Sequence, residues 1–93
     1  MNQSKSAHGL SRRAISMLLA VRDGRGQLAI SCEPDLFVDG IPCCDQATAH
    51  LLARSGLIRA ARRGSVGERV AAIVTDRGFA ALDSLACQAE APG

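Results

Sequence analysis

Residues 45–85, DQATAHLLARSGLIRAARRGSVGERVAAIVTDRGFAALDSL, decide the fold. Asp45 can cap a helix: its side chain accepts from the first free N–H groups, and its charge suits the positive helix end. The helix is expected over about Gln46–Ser55. Gly56 stops it, because glycine tolerates the left-handed conformation that ends helices. Ala49, Leu52 and Ala53 share one face and should pack inward, whereas Gln46, Thr48, His50 and Arg54 point more outward. Leu57–Arg62 then reads as a strand anchored by Leu57 and Ile58. The run RRGSVGE supplies a turn, with Gly64 and Gly67 open to positive φ and Ser65 a turn former. Arg69–Val74 returns as a second strand. Thr75 caps a last helix, expected over Asp76–Cys87, with Phe79, Leu82 and Leu85 on one side.

Upstream, residues 1–9 are polar and glycine-ended, so they read as a flexible tail that includes His8. Leu10, Ala14, Leu18 and Val21 form one stripe of a helix over Leu10–Arg22, with Ser11 as N-cap and Asp23-Gly24 as its end. Residues 26–41 read as a hairpin, in which CEPD holds a turn signal and LFVDG is a short apolar run. The alternative makes Gln27–Cys32 part of a helix. Ile30, Phe37, Val38 and Pro34 favour strands. The chain has no internal repeat and no long linker, so residues 10–87 are expected to form one domain, with 88–93 a loose end.

At 93 residues such a domain buries a modest core. Hydrophobic residues make up 47% of the chain but aromatics only 2%, which leaves a core of Leu, Ile, Val and Ala. A core of small residues gains from a partner subunit, so a homodimer is expected. Formal net charge is +2, and its distribution is more telling. From Arg54 to Arg69 five arginines (Arg54, Arg59, Arg62, Arg63 and Arg69) face one acid, Glu68. From Asp23 to Asp45 five acids (Asp23, Glu33, Asp35, Asp39 and Asp45) face one base, Arg25. The basic segment can attract phosphates; an ordinary solvated strand pair carrying arginines on its open face is the plainer reading.

The apolar run Ile15–Val21 is too short to span a membrane, and the N-terminus carries no secretory signal. A cytoplasmic location with reduced thiols is therefore expected for Cys32, Cys43, Cys44 and Cys87. Cys32, Cys43, Cys44 and His50 are metal-capable but lack the repeated Cys-x-x-Cys spacing of structural zinc sites. No metal or other cofactor is expected. Most of these cysteines read as small buried hydrophobes, and a redox switch is the minority reading.

The run LLARSGLIRAARRGSVGERVAAIVTDRGFAAL resembles the C-terminal part of winged helix-turn-helix regulators, particularly the MarR-like group. Leu52, Gly56, Leu57, Ile58 and Arg59 match the end of a recognition helix and the strand after it. Val74-Thr75-Asp76-Arg77-Gly78 matches a Leu-Thr-x-x-Gly-like start of the following helix. The resemblance covers about half of the chain. It departs upstream, where residues 25–41 show no second helix, and the long flanking helices of that group are missing. The resemblance implies an α+β fold: a small winged-helix domain with a β-hairpin wing.

On that reading the protein is a sequence-specific DNA-binding transcriptional regulator acting on double-stranded DNA without catalysis. Outward positions of Gln46–Arg54 would meet bases: glutamine suits adenine, arginine suits guanine, and threonine suits either a base edge or phosphate. Gln46, Thr48, His50 and Arg54 are therefore candidate base-side contacts. Arg59, Arg62, Arg63 and Arg69 are candidate phosphate or minor-groove contacts. The alternative is a winged-helix protein-interaction module that does not bind DNA, since fold alone does not fix function. An enzyme is not expected: the chain has no nucleophile–base spacing, no phosphate loop and no carboxylate pair around a histidine.

Overall fold

Local signals cap the helices close to where the sequence places them, except at the end of the last one. The computed structural model of the protein describes residues 10–90, with side chains through residue 84. Helix α1 spans Arg12–Arg22, and the Ser11 side chain accepts from the Ala14 N–H at its start. Asp23 ends it, followed by Gly24 at φ +85°. Helix α2 spans Gln46–Arg54 behind its N-cap Asp45 and gives way at Gly56, φ +78°. Helix α3 spans Asp76–Glu90, three residues longer at its C-terminal end than expected, so residues 88–90 are helical rather than loose. The expected tail 1–9 and residues 91–93 lie outside the described residues.

Between the helices lie β1 (Gly26–Ala29), β2 (Leu36–Val38), β3 (Ile41–Pro42), β4 (Ile58–Ala60) and β5 (Arg69–Val74). All pairings are antiparallel and the sheet order is β3-β2-β1-β5-β4. The protein is α+β, and residues 26–41 form the hairpin rather than a helix. β1 is central: Gln27 pairs with Phe37 on one side and Ala71 on the other. Beyond β1, Ile30 continues the ladder, accepting from the Gly67 N–H and donating to the Glu68 carbonyl. That ties the turn between β4 and β5 to the first hairpin. The two-residue β3, set by Ile41 opposite Val38, was not foreseen.

Alternation puts Leu28, Leu36, Ile58, Val70, Ala72 and Val74 on one face of the sheet. There they meet Ala14, Met17, Leu18 and Val21 of α1 and Ala49 and Leu52 of α2. The result is two layers, with helices on one side of the sheet. The start of α3 is fixed by Thr75. Its hydroxyl donates to the Gly56 carbonyl at 2.5 Å and accepts from the Gly78 N–H at 3.0 Å. Gly78 is required because a Cβ there would press on the Leu57 carbonyl and on Val74. The Thr-x-x-Gly sequence thus has a physical cause: it lets α3 cross closely over the chain just before β4.

Candidate nucleic-acid interface

The residues expected to read bases are already engaged within the protein. The sequence reading that points Gln46 outward is corrected by its half-buried amide, which sits between Leu36 and Cys43. Its Oε1 accepts from the Leu36 N–H at 2.9 Å, and its Nε2 donates to the Leu36 carbonyl at 3.0 Å and the Cys43 carbonyl at 2.9 Å. The amide takes the place of the next backbone pair where the β2–β3 ladder ends. Thr48 is half-buried as well. Its hydroxyl donates to Asp45 at 2.6 Å and its N–H donates to the same carboxylate at 3.0 Å. These two bonds, with Arg13 at 3.3 Å, hold the Asp45 carboxyl below its ordinary range. His50 places Nε2 2.8 Å from Asp35, with Glu33 3.9 Å from its other ring nitrogen.

The flank of α2 that carries Gln46 and His50 is therefore covered by residues 33–43. Its solvent stripe is Ala47, Leu51, Arg54 and Ser55 instead, with Leu51 51% exposed. Of the four polar residues expected to face outward, only Arg54 is freely exposed. Its guanidinium is 3.9 Å from Glu33.

The arginines gather elsewhere, along the outer strand β4. A hollow of about 280 Å³ lies between the 30–35 loop, α2 and β4; Leu28, Ile30, Ala53 and Ile58 line it, with Arg54 and Arg59 also at its wall. A second concavity continues along the chain past Arg59, Ala60, Arg62 and Arg63 to Gly64. The two share Ile30, Arg59 and Ala60, so Arg54, Arg59, Arg62 and Arg63 border one continuous surface. Among the described residues, Arg59 and Arg63 have no carboxylate within ion-pair distance.

Arg62 braces the β4–β5 turn. It donates to Glu68 at 2.6 Å and to the Arg63 carbonyl at 2.9 Å. That pairing, with the Ser65 N–H, holds the Glu68 carboxyl below its ordinary range. The turn projects Val66, 86% exposed, at its tip. Arg69 stands apart from the other four. Its guanidinium lies 4.5 Å above the Phe37 ring, on the sheet face away from the helices. Sequence reading missed Arg77, which joins Arg59 around a further concavity near Gly56. A base in the first turn of a helix, where an acid is usual, was the available signal.

Among the described residues the cysteines form no centre, and the expectation that most are buried is corrected: Cys32 and Cys44 are exposed and Cys43 is half-buried, while the Cys87 side chain lies outside the described ones. Cys32, Cys43 and Cys44 are free thiols, and no three potential metal ligands converge among the described residues. Burial, and then the neighbouring Cys44 and Asp45, push the Cys43 thiol pKa up, which lowers its reactivity. Among the described residues no helix is long and apolar enough to cross a membrane. No protein-family model matches the chain, and no curated protein or solved structure does either.

Proposed function

We propose that the protein is a small DNA-binding domain of the winged-helix kind, acting in transcription regulation without catalysis. It would grip duplex phosphates with the arginines along β4. The observation that carries this reading is the shared surface of Arg54, Arg59, Arg62 and Arg63. Topology supports it in part: α1, β1, α2 and the β4–β5 hairpin follow in this order, and β1 pairs with the returning strand β5. β2 and β3 intervene between β1 and α2, where a helix-turn-helix would carry a further helix. Base reading by the first turn of α2 is dropped from the proposal, because Gln46, Thr48 and His50 have partners within the fold. Arg54 is the α2 side chain left to reach a base edge.

Binding to random duplex DNA, followed across salt concentrations, tests this. Four phosphate contacts give a log–log slope of about −3 to −4. Arg62→Ala combined with Arg63→Ala should weaken binding to every duplex and lower the slope by about one to two units. Unchanged affinity and slope in the double variant would remove this edge from the interface. A homodimer is part of the proposal, since paired half-sites would multiply a weak single-domain affinity. One observation favours the protein-interaction reading: the helix expected to read bases presents alanine and leucine to solvent.

A further inference from the structure

Among the described residues β4 ends the sheet, and its outer backbone has no neighbouring strand. The register shows which groups are open. The Ala61 N–H donates to the Ala71 carbonyl and the Thr75 N–H to the Leu57 carbonyl. Hydrogen-bonded pairs recur at every second residue of an antiparallel ladder, so Arg59 also faces β5. Ile58 and Ala60, opposite Val74 and Ala72, turn their N–H and C=O groups away from β5; Ile58 is buried at 1% exposure, so the half-buried Ala60 carries the accessible part of this edge. The Ala60 carbonyl accepts only a folded-back contact from the Arg59 guanidinium, at 3.1 Å. Open concavities border this edge on both sides of Ala60.

Arginines on an outer strand commonly serve as guards against edge-to-edge aggregation. That explains the charge but not the apolar hollow beside it. We propose that β4 accepts, as a sixth strand, an extended segment of a partner protein in which acidic and apolar residues alternate. Side chains of an added strand point alternately to the two faces of the sheet. Those on the helix side would enter the hollow floored by Leu28, Ile30, Ala53 and Ile58. Those on the other side would meet Arg59, with Arg54, Arg62 and Arg63 at the ends of the segment. Charge selects the occupant. A second copy of β4 would set arginine against arginine. The other outer strand of this chain, β3, ends at Pro42, which has no N–H to donate. The inference uses the side chains of the DNA reading without depending on it, because only a polypeptide can complete the ladder. If both hold, partner and DNA exclude one another.

The test uses the full chain and the fluorescent peptides acetyl-(Glu-Val)4-amide and acetyl-(Glu-Ser)4-amide, which carry equal charge. Anisotropy should show the valine peptide binding at least about tenfold tighter, as pocket-filling on a paired strand requires. On saturation, amide hydrogen exchange at Ala60 should slow. Ala60→Pro removes the outward N–H at a place where an outer strand tolerates proline. It should abolish peptide binding while duplex DNA affinity stays within about twofold. Equal affinity for the two peptides would overturn the inference, as would unchanged exchange at Ala60. The exchange measurement needs only the wild-type chain, so it decides the matter even where Ala60→Pro does not fold. Absence of duplex binding by the wild-type chain, with the valine peptide bound, would refute the DNA reading alone, whereas peptide binding retained in Ala60→Pro would overturn the inference.

Discussion

Removing the Gln46 side chain should unfold the protein more readily than any change at its arginines. Its amide makes three hydrogen bonds, to the Leu36 N–H, the Leu36 carbonyl and the Cys43 carbonyl, all between 2.9 and 3.0 Å. Leu36 is fully buried, and its N–H points toward Gln46 rather than β1. The Leu36 carbonyl keeps its bond from the Cys43 N–H when the amide goes. The Leu36 N–H and the Cys43 carbonyl are left without this partner. At about 1 kcal/mol per bond, and more for a buried donor left unsatisfied, Gln46→Ala should cost about 3 kcal/mol. That is a large fraction of the stability of a domain this size, and it lowers Tm by about 12–24 °C. Gln46→Glu should also destabilise at neutral pH, because a carboxylate oxygen would replace the donor facing two carbonyls. Thermal and urea unfolding of both variants, followed by circular dichroism, supply the measurement. If Gln46→Ala unfolds within about 0.5 kcal/mol of the wild type, as surface substitutions do, the amide does not clasp these strands.

Three further outcomes follow from the same geometry. Gly78→Ala should destabilise the protein by about 1–3 kcal/mol in urea unfolding, because the new Cβ meets the Leu57 carbonyl and lies 2.6 Å from Val74. In an unobstructed helix the same change is stabilising, so a gain in stability would remove the close crossing. Thr48 and then Arg13 hold the Asp45 carboxyl low, so its folded pKa lies below the unfolded value. Its support is therefore complete above about pH 4 and is lost as pH falls through the lower folded value. Urea midpoints should fall in acid, and Asp45→Asn, which keeps a capping oxygen, should flatten that part of the profile; an unchanged profile would remove Asp45 as a source. Phe79 is 45% exposed on α3, and the proposed homodimer would use it as a seam. Sedimentation at micromolar concentration should show a dimer that Phe79→Glu converts to a folded monomer, whereas a clean 9.7 kDa species in the wild type would sink the idea.

What the sequence disclosed was mostly local. Ser11, Asp45, Gly24 and Gly56 act within a turn of their own helix, and each stands at the helix end where the sequence puts it. β5 could be read from Arg69–Val74 as an apolar run returning from a glycine-rich turn, while its alternation shows only in the burial of Val70, Ala72 and Val74. The Thr75–Gly78 pair was visible as a pattern, although its partners, Gly56 and Leu57, lie about 20 residues earlier. The missed features depend on which distant segment covers which flank. Gln46 and His50 lie four residues apart on one side of α2, a polar side by any periodicity. That side is covered because residues 33–43 fold across it and supply backbone groups and carboxylates for these polar side chains. Arg69 was grouped with the other arginines by proximity in sequence. Pairing of β1 with both β2 and β5 carries it instead to Phe37, two strands away.

The β2–β3 segment thus decides where binding chemistry can reside. It surrounds α2 with Glu33, Asp35 and Asp45, and the start of α2 is already neutralised by the Asp45 carboxylate, which Thr48 and Arg13 keep ionised. An approaching phosphate would meet negative charge there, at a cost of about 1 kcal/mol per close pair even in water. On the other side of the hollow, β4 carries Arg59, and Arg62 and Arg63 follow it. Among the described residues the only carboxylate paired with these three is Glu68, which fixes the turn through Arg62. Field and access therefore agree. On the proposed reading an anionic partner would be repelled from the start of α2 and drawn to the outer strand. A partner that also brings backbone donors and apolar side chains finds there an open ladder and a hollow to fill.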